Sequence, residues 1–169
     1  ALLNREWARA TNDGVCLSDP QALLDAWAEA YEPPSGERKG FYTTLHGSAL
    51  ENAARIAIGE RSGGHALFSS FSAAQWLASY ARISTNYFYA DIEGLERLVK
   101  ALQLVPASKG ENVVITLPND EGLLLDTVEP APGALCTSPV QTYLDLSVAG
   151  ERGEEAAEYL RQEKLTWSR

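Results

Sequence analysis

Between residues 41 and 137, short apolar runs alternate with segments of helical period, and no other feature restricts the fold as much. Residues 41–45, 66–68, 85–90 (TNYFYA) and 113–117 read as strands, the last an unbroken apolar run closed by Pro118. Residues 49–58, 72–82 and 92–102 place apolar side chains at three- and four-residue steps instead, as in Leu95, Leu98, Val99 and Leu102. Two further short strands are expected at 123–128 and 134–137, on either side of the loop EPAPG. Such alternation predicts an α/β domain, with α+β as the alternative, in which a mixed β-sheet is flanked by helices.

A helical hairpin is predicted to follow. Ser138-Pro139 is a start signal, because a serine hydroxyl caps free N–H groups and proline loses nothing at the first helical position. Val140, Tyr143, Leu144 and Val148 then share one buried face, while Gln141 and Asp145 lie four apart on a more accessible stripe. Gly150 and Gly153 are expected to break the run around Glu151 and Arg152, before a second helix carrying Ala156, Tyr159 and Leu160. Asp145 has two readings. It accepts hydrogen bonds from Arg152 or from backbone N–H groups at the glycine corner, or it joins Gln141 and Arg152 in a partner-binding face.

Upstream, residues 5–10 and 15–17 suit a β-hairpin around Asn12-Asp13-Gly14, with Leu2 and Leu3 as the tail of a preceding helix. Asp19-Pro20 opens a helix in which Leu23, Trp27 and Tyr31 recur at steps of four. The segment EPPSGERKG, residues 32–40, reads as a linker and contains the compact basic pair Arg38 and Lys39. The division expected is therefore a hairpin at 1–18, a connecting helix and linker at 19–40, and an α/β domain at 41–169.

Twenty-three acidic against 14 basic side chains give a net charge of −9, which argues against a chain that wraps DNA by itself. No apolar run reaches membrane-spanning length and no basic-then-apolar leader is present, so the expected compartment is the cytoplasm. Methionine is absent and the chain opens on Ala-Leu-Leu, which leads us to expect an excised fragment. Cys16 and Cys136 match no metal spacing and are expected as free thiols. No phosphate-binding glycine loop, nucleophile elbow or HExxH motif occurs. His46 and His65 sit next to turns, so neither a metal nor a cofactor is expected. Asp91 and Asp126, at strand ends, would suit a metal-dependent nuclease only with a nearby strand lysine, which is lacking. Asp91 reads better as a helix N-cap.

LLNREW before the hairpin, LSDPQALLDAWAEAY, FSSFSAAQWLASYA, YFYAD, NVVITLPNDEG, and finally SPVQTYLDL with GERGEEAAEYL succeed one another along nearly the whole chain. This succession resembles the AbiEi-type antitoxins, transcriptional regulators of type IV toxin–antitoxin systems used in bacterial defence against phage. The resemblance implies that residues 1–18 end a winged helix-turn-helix domain and that 41–169 form the effector domain acting against a nucleotidyltransferase-like toxin. The family's reader helix has no counterpart in these 169 residues. Promoter DNA is therefore expected to be met through an N-terminal domain outside them, with Arg5, Arg9, Arg38 and Lys39 as candidate contacts of the wing and linker. No catalytic residue carries over. Two rivals stay open: a diverged nuclease-like or nucleotidyltransferase-like enzyme with acids at Asp91, Asp126 and Asp145, and a module that forms a homodimer.

Overall fold

The structure, a computed structural model, describes residues 3–61 and 63–167. After a single 3-10 turn at Leu3–Arg5, strands β1 (Ala8–Thr11) and β2 (Gly14–Leu17) pair antiparallel as an isolated hairpin. Gly14 takes a φ of +132°, which is why the turn needs glycine there. Leu3 therefore belongs to a 3-10 turn rather than to a helix tail, and Leu2 lies outside the described residues. Helix α1 (Pro20–Ala30) starts where Asp19 accepts from the Ala22 N–H. It buries Leu24, with Ala28 and Tyr31 packed beside it, and leaves Trp27 half exposed at 51%. The inward stripe is thus rotated from the one the four-residue spacing suggested.

Strands β3 (Gly36–Tyr42), β4 (Ala66–Phe68), β5 (Asn86–Ala90), β6 (Val105–Pro106), β7 (Val113–Pro118), β8 (Thr127–Val128) and β9 (Cys136–Thr137) form one sheet. Its order is β6-β3-β7-β5-β4-β9-β8, with β5/β7 and β4/β9 parallel and the other neighbours antiparallel. Helices α2 (Gly47–Gly59) and α4 (Ile92–Ala101) cover one face; α3 (Ser70–Leu77), α5 (Pro139–Ser147) and α6 (Gly150–Lys164) build the other side. The fold is α/β around a mixed sheet, as the alternation predicted.

Strand β5 shows how a period of two divides the interior. Phe88 enters the cluster built on Leu50, Ile58, Leu98 and Ile115, whereas Tyr87 meets Phe71 of α3 and Tyr89 reaches α5. The second cluster centres on Leu144, Leu146, Ala156 and Leu160, which clamp α5 onto α6.

Five expectations are corrected. Residues 36–40 are not linker but the first half of β3, with Gly36 opposite Pro118 and Lys39 opposite Ile115. A Cβ on Gly36 would run into the Leu117 carbonyl oxygen, and one on Gly40 would lie 2.8 Å from that of Ala107. These glycines answer a close backbone approach within a sheet rather than a loop. Gly153 likewise sits inside α6, where a side chain would strike the Leu146 carbonyl oxygen, so only Gly150, at φ +77°, turns the chain. Val148 falls in that turn and is 43% exposed, not core. Finally, the strand expected at 123–128 is a 3-10 turn, Glu121–Leu124, capped by Asp120, followed by the two residues of β8. The helix expected over 72–82 ends at Leu77.

Candidate functional site

That early stop frees residues 78–85 as a loop, and the loop forms one wall of a cleft of about 700 Å³. Phe71 and Gln75 of α3, the loop from Tyr80 to Thr85, Tyr87 of β5, and the first turns of α6 line it. The loop has an internal brace: the Gln75 side-chain amide donates to the Ala81 carbonyl, and Ser79 Oγ donates to Gln75 Oε1 at 3.1 Å. Tyr80 packs against Tyr159 of α6 with ring centroids 5.4 Å apart, and Phe71 meets Tyr87 at 5.8 Å. Two of the aromatic rings in the lining, Phe71 and Tyr87, thus come from a helix and a strand of the domain, and the third, Tyr80, comes from the loop and rests on Tyr159.

Charge enters from both walls. Arg82 comes from the loop and Arg152, Glu151 and Glu155 from α6. The ion pairs among the described residues are Lys39–Glu37, Arg61–Glu129 and Arg161–Asp25, so neither cleft arginine is neutralised by a carboxylate. Guanidinium groups in this state offer planar, bidentate donors to an incoming anion. The sequence pattern places Arg82 at the end of a helix and gives it no part in a site; with the helix ending at Leu77 it stands instead on the loop wall of the cleft.

Of the three residues expected on a partner-binding face, Arg152 alone lines the cleft. Gln141 and Asp145 do stand together, with Gln141 Nε2 donating to Asp145 Oδ1 at 3.1 Å, but the stripe is not accessible. Asp145 is only 9% exposed. Tyr31 donates to its Oδ1 at 2.5 Å and Tyr89 to its Oδ2 at 3.0 Å, so neither Arg152 nor the glycine corner supplies its donors. Burial pushes the Asp145 carboxyl above the usual range, and the bonds from Tyr31, Tyr89 and Gln141 pull in the opposite direction. Burial, and after it the charge of Asp145, raise both tyrosine hydroxyls, which keeps them protonated and donating. The cluster joins the residue after α1 to α5 and to the sheet. A second clamp acts nearby: Arg161 of α6 donates to Gln21 Oε1 (2.6 and 2.9 Å) and to Asp25 Oδ1 (2.5 Å), both on α1, and lies over the Tyr143 ring.

The candidate nucleic-acid contacts do not form one patch. Arg5 lies over Trp7, and Arg9 Nε is 3.4 Å from Cys16 Sγ, both in or beside the hairpin. Arg38 and Lys39 are consecutive residues of β3 and therefore point to opposite faces, with Lys39 bound to Glu37 at 2.9 Å. The three acids of the enzyme reading stand apart in role. Asp91 caps α4, with Oδ1 accepting from Gly94 N (2.8 Å) and Oδ2 from His65 N (2.7 Å), while Asp126 is exposed ahead of β8. Among the described residues no group of three His, Cys, Asp or Glu side chains is placed to hold a metal ion. Both cysteines are free, and burial pushes the Cys136 thiol up to about 12.

Fold and cleft together define an α/β domain with an open cleft lined by aromatic rings and by charged side chains of both signs. The model of the AbiEi antitoxin family, transcriptional regulators of type IV toxin–antitoxin systems, matches residues 16–166, and the chain belongs to that family. Its members are regulators rather than enzymes. Comparison with the curated proteins found no match, and comparison with the solved structures found none either. No helix among the described residues is long and apolar enough to cross a membrane.

Proposed function

We propose that this chain neutralises a cognate nucleotidyltransferase-like toxin in a phage-defence system, and that the α/β domain carries the activity through the cleft beside Arg152. The observation that supports this most is the pair of arginines, Arg82 and Arg152, held without carboxylate partners next to Tyr80 and Tyr87. Solvent-facing aromatic and arginine side chains in a formed concavity are the residue types that dominate recognition energies. In this reading Asp145 and Gln141 hold the domain in shape and do not touch the toxin. The regulatory half of the role belongs to the hairpin side of α1, where Arg5 and Arg9 lie, with promoter DNA met through an N-terminal winged-helix domain.

The test is co-expression of the whole chain with a nucleotidyltransferase-like toxin of a type IV system. Restored growth at ordinary antitoxin levels is the expected result. Continued arrest while the antitoxin accumulates in folded form refutes the neutralising role.

A further inference from the structure

The lining of the same cleft is specific enough to indicate what it takes. Four of its properties bear on the choice. Its volume, about 700 Å³, accommodates a ligand of nucleotide size and not merely a small ion. Three aromatic rings, Phe71, Tyr80 and Tyr87, stand in its walls, and a planar base stacks on such rings regardless of its identity. Arg82 and Arg152 provide two guanidinium forks, the geometry that matches a phosphate bidentately. Glu151 and Glu155 supply carboxylates, which accept hydrogen bonds from sugar hydroxyls as an acidic residue does in dinucleotide sites.

The balance of charge narrows the class. The lining carries two arginines and two glutamates, so it has no net charge to offset a polyphosphate, and a triphosphate would meet the carboxylates as well as the guanidinium groups. A ligand with one phosphate, a hydroxyl-bearing sugar and a flat base uses all four kinds of side chain. We propose that the cleft binds a single ribonucleotide unit bearing one phosphate, with the base on the aromatic wall, the phosphate on Arg82 and Arg152, and the ribose hydroxyls on the α6 carboxylates. Such a unit has two sources, a free nucleoside monophosphate or one residue of a single-stranded RNA. The inference concerns the ligand of the cleft and rests on reading that cleft as the domain's working surface.

The experiment is titration calorimetry and ligand-observed NMR on the whole chain, with the four ribonucleoside monophosphates, a short single-stranded oligoribonucleotide, a nucleoside without phosphate, a nucleoside triphosphate and inorganic phosphate. Arg82→Gln, Arg152→Gln and Tyr80→Ala change exposed side chains, and the midpoint of thermal unfolding checks that each variant is folded. The expected result is saturable binding of monophosphates, with either arginine substitution weakening it at least about tenfold, the usual scale of a lost charge-assisted hydrogen bond. The nucleoside, the triphosphate and inorganic phosphate should bind more weakly than the monophosphate. Tighter binding of the oligonucleotide assigns the site to an RNA strand, and equal or weaker binding assigns it to the free nucleotide. Absence of binding at millimolar ligand overturns the inference, as does binding that ignores both arginine substitutions or inorganic phosphate that binds as tightly as the nucleotide. No toxin is present in these measurements, so they can fail while neutralisation still depends on the cleft.

Discussion

A carboxylate removed from water is costly unless donors surround it, and three donors converge on Asp145. Two of them arrive from 114 and 56 residues away, so the side chain ties α1 and the sheet to α5. Asp145→Asn keeps the shape but replaces an acceptor pair with one acceptor and one amide donor, which then faces tyrosine hydroxyls and the Gln141 amide. It should cost about 1–3 kcal/mol at neutral pH, the scale for a disturbed hydrogen bond to a buried charged group. The pH dependence has a definite sign. Because folding raises this carboxyl's pKa, its contribution to stability is full below the unfolded value of about 3.9 and is lost as pH rises through the folded value. Wild type should therefore gain stability relative to Asp145→Asn as pH is lowered from neutrality towards that limit. Urea midpoints of both proteins across that range measure it, and a difference independent of pH contradicts the assigned environment.

Among the elements, the hairpin of β1 and β2 is the weakest. Its ties to the rest run through Trp7, whose carbonyl accepts from the Ser18 and Asp19 N–H groups, and through Ser18 Oγ on the Glu6 carbonyl at 2.6 Å. Val15 and Leu17 are 64% and 51% exposed, so its apolar side chains add little buried area. Two-stranded ribbons are marginal unless something packs on them. Amides of residues 8–17 should exchange with solvent faster than those of β5 and β7, as hydrogen-exchange mass spectrometry would show; equal protection would make the hairpin integral to the domain. Local signals marked much of this level. Asp19-Pro20, Asp91 and Ser138-Pro139 begin their helices as expected, each through a side chain accepting a backbone N–H, and TNYFYA and VVITLP are strands. What local signals missed depends on neighbours distant in sequence. Gly36, Gly40 and Gly153 look like breakers until the carbonyl groups of Leu117, Ala107 and Leu146 are seen beside them. The cleft is hidden for the same reason, since its walls come from residues 71–87 and 149–156 and only folding brings them together.

At the scale of the molecule, net charge and the distribution of cations decide what the chain holds by itself. With a net charge of −9, and with Arg38 and Lys39 on opposite faces of β3, these 169 residues should retain promoter DNA weakly and without sequence preference. A gel shift at low salt checks this, and tight, sequence-selective binding would contradict it. The cleft brings Arg82 and Arg152, which belong to none of the ion pairs of the described residues, beside aromatic rings, and the central claim is that recognition sits there while the Asp145 cluster is structural. Toxin co-expression with Arg152→Glu and Asp145→Asn side by side tests that claim most directly, with the melting temperature of each purified variant recorded. Arg152→Glu should abolish neutralisation at an unchanged melting temperature, because Arg152 is exposed and unpaired. Asp145→Asn should lower the melting temperature yet still neutralise wherever the protein remains folded. The opposite pattern, full neutralisation by Arg152→Glu and its loss in a stable Asp145→Asn protein, would contradict the account.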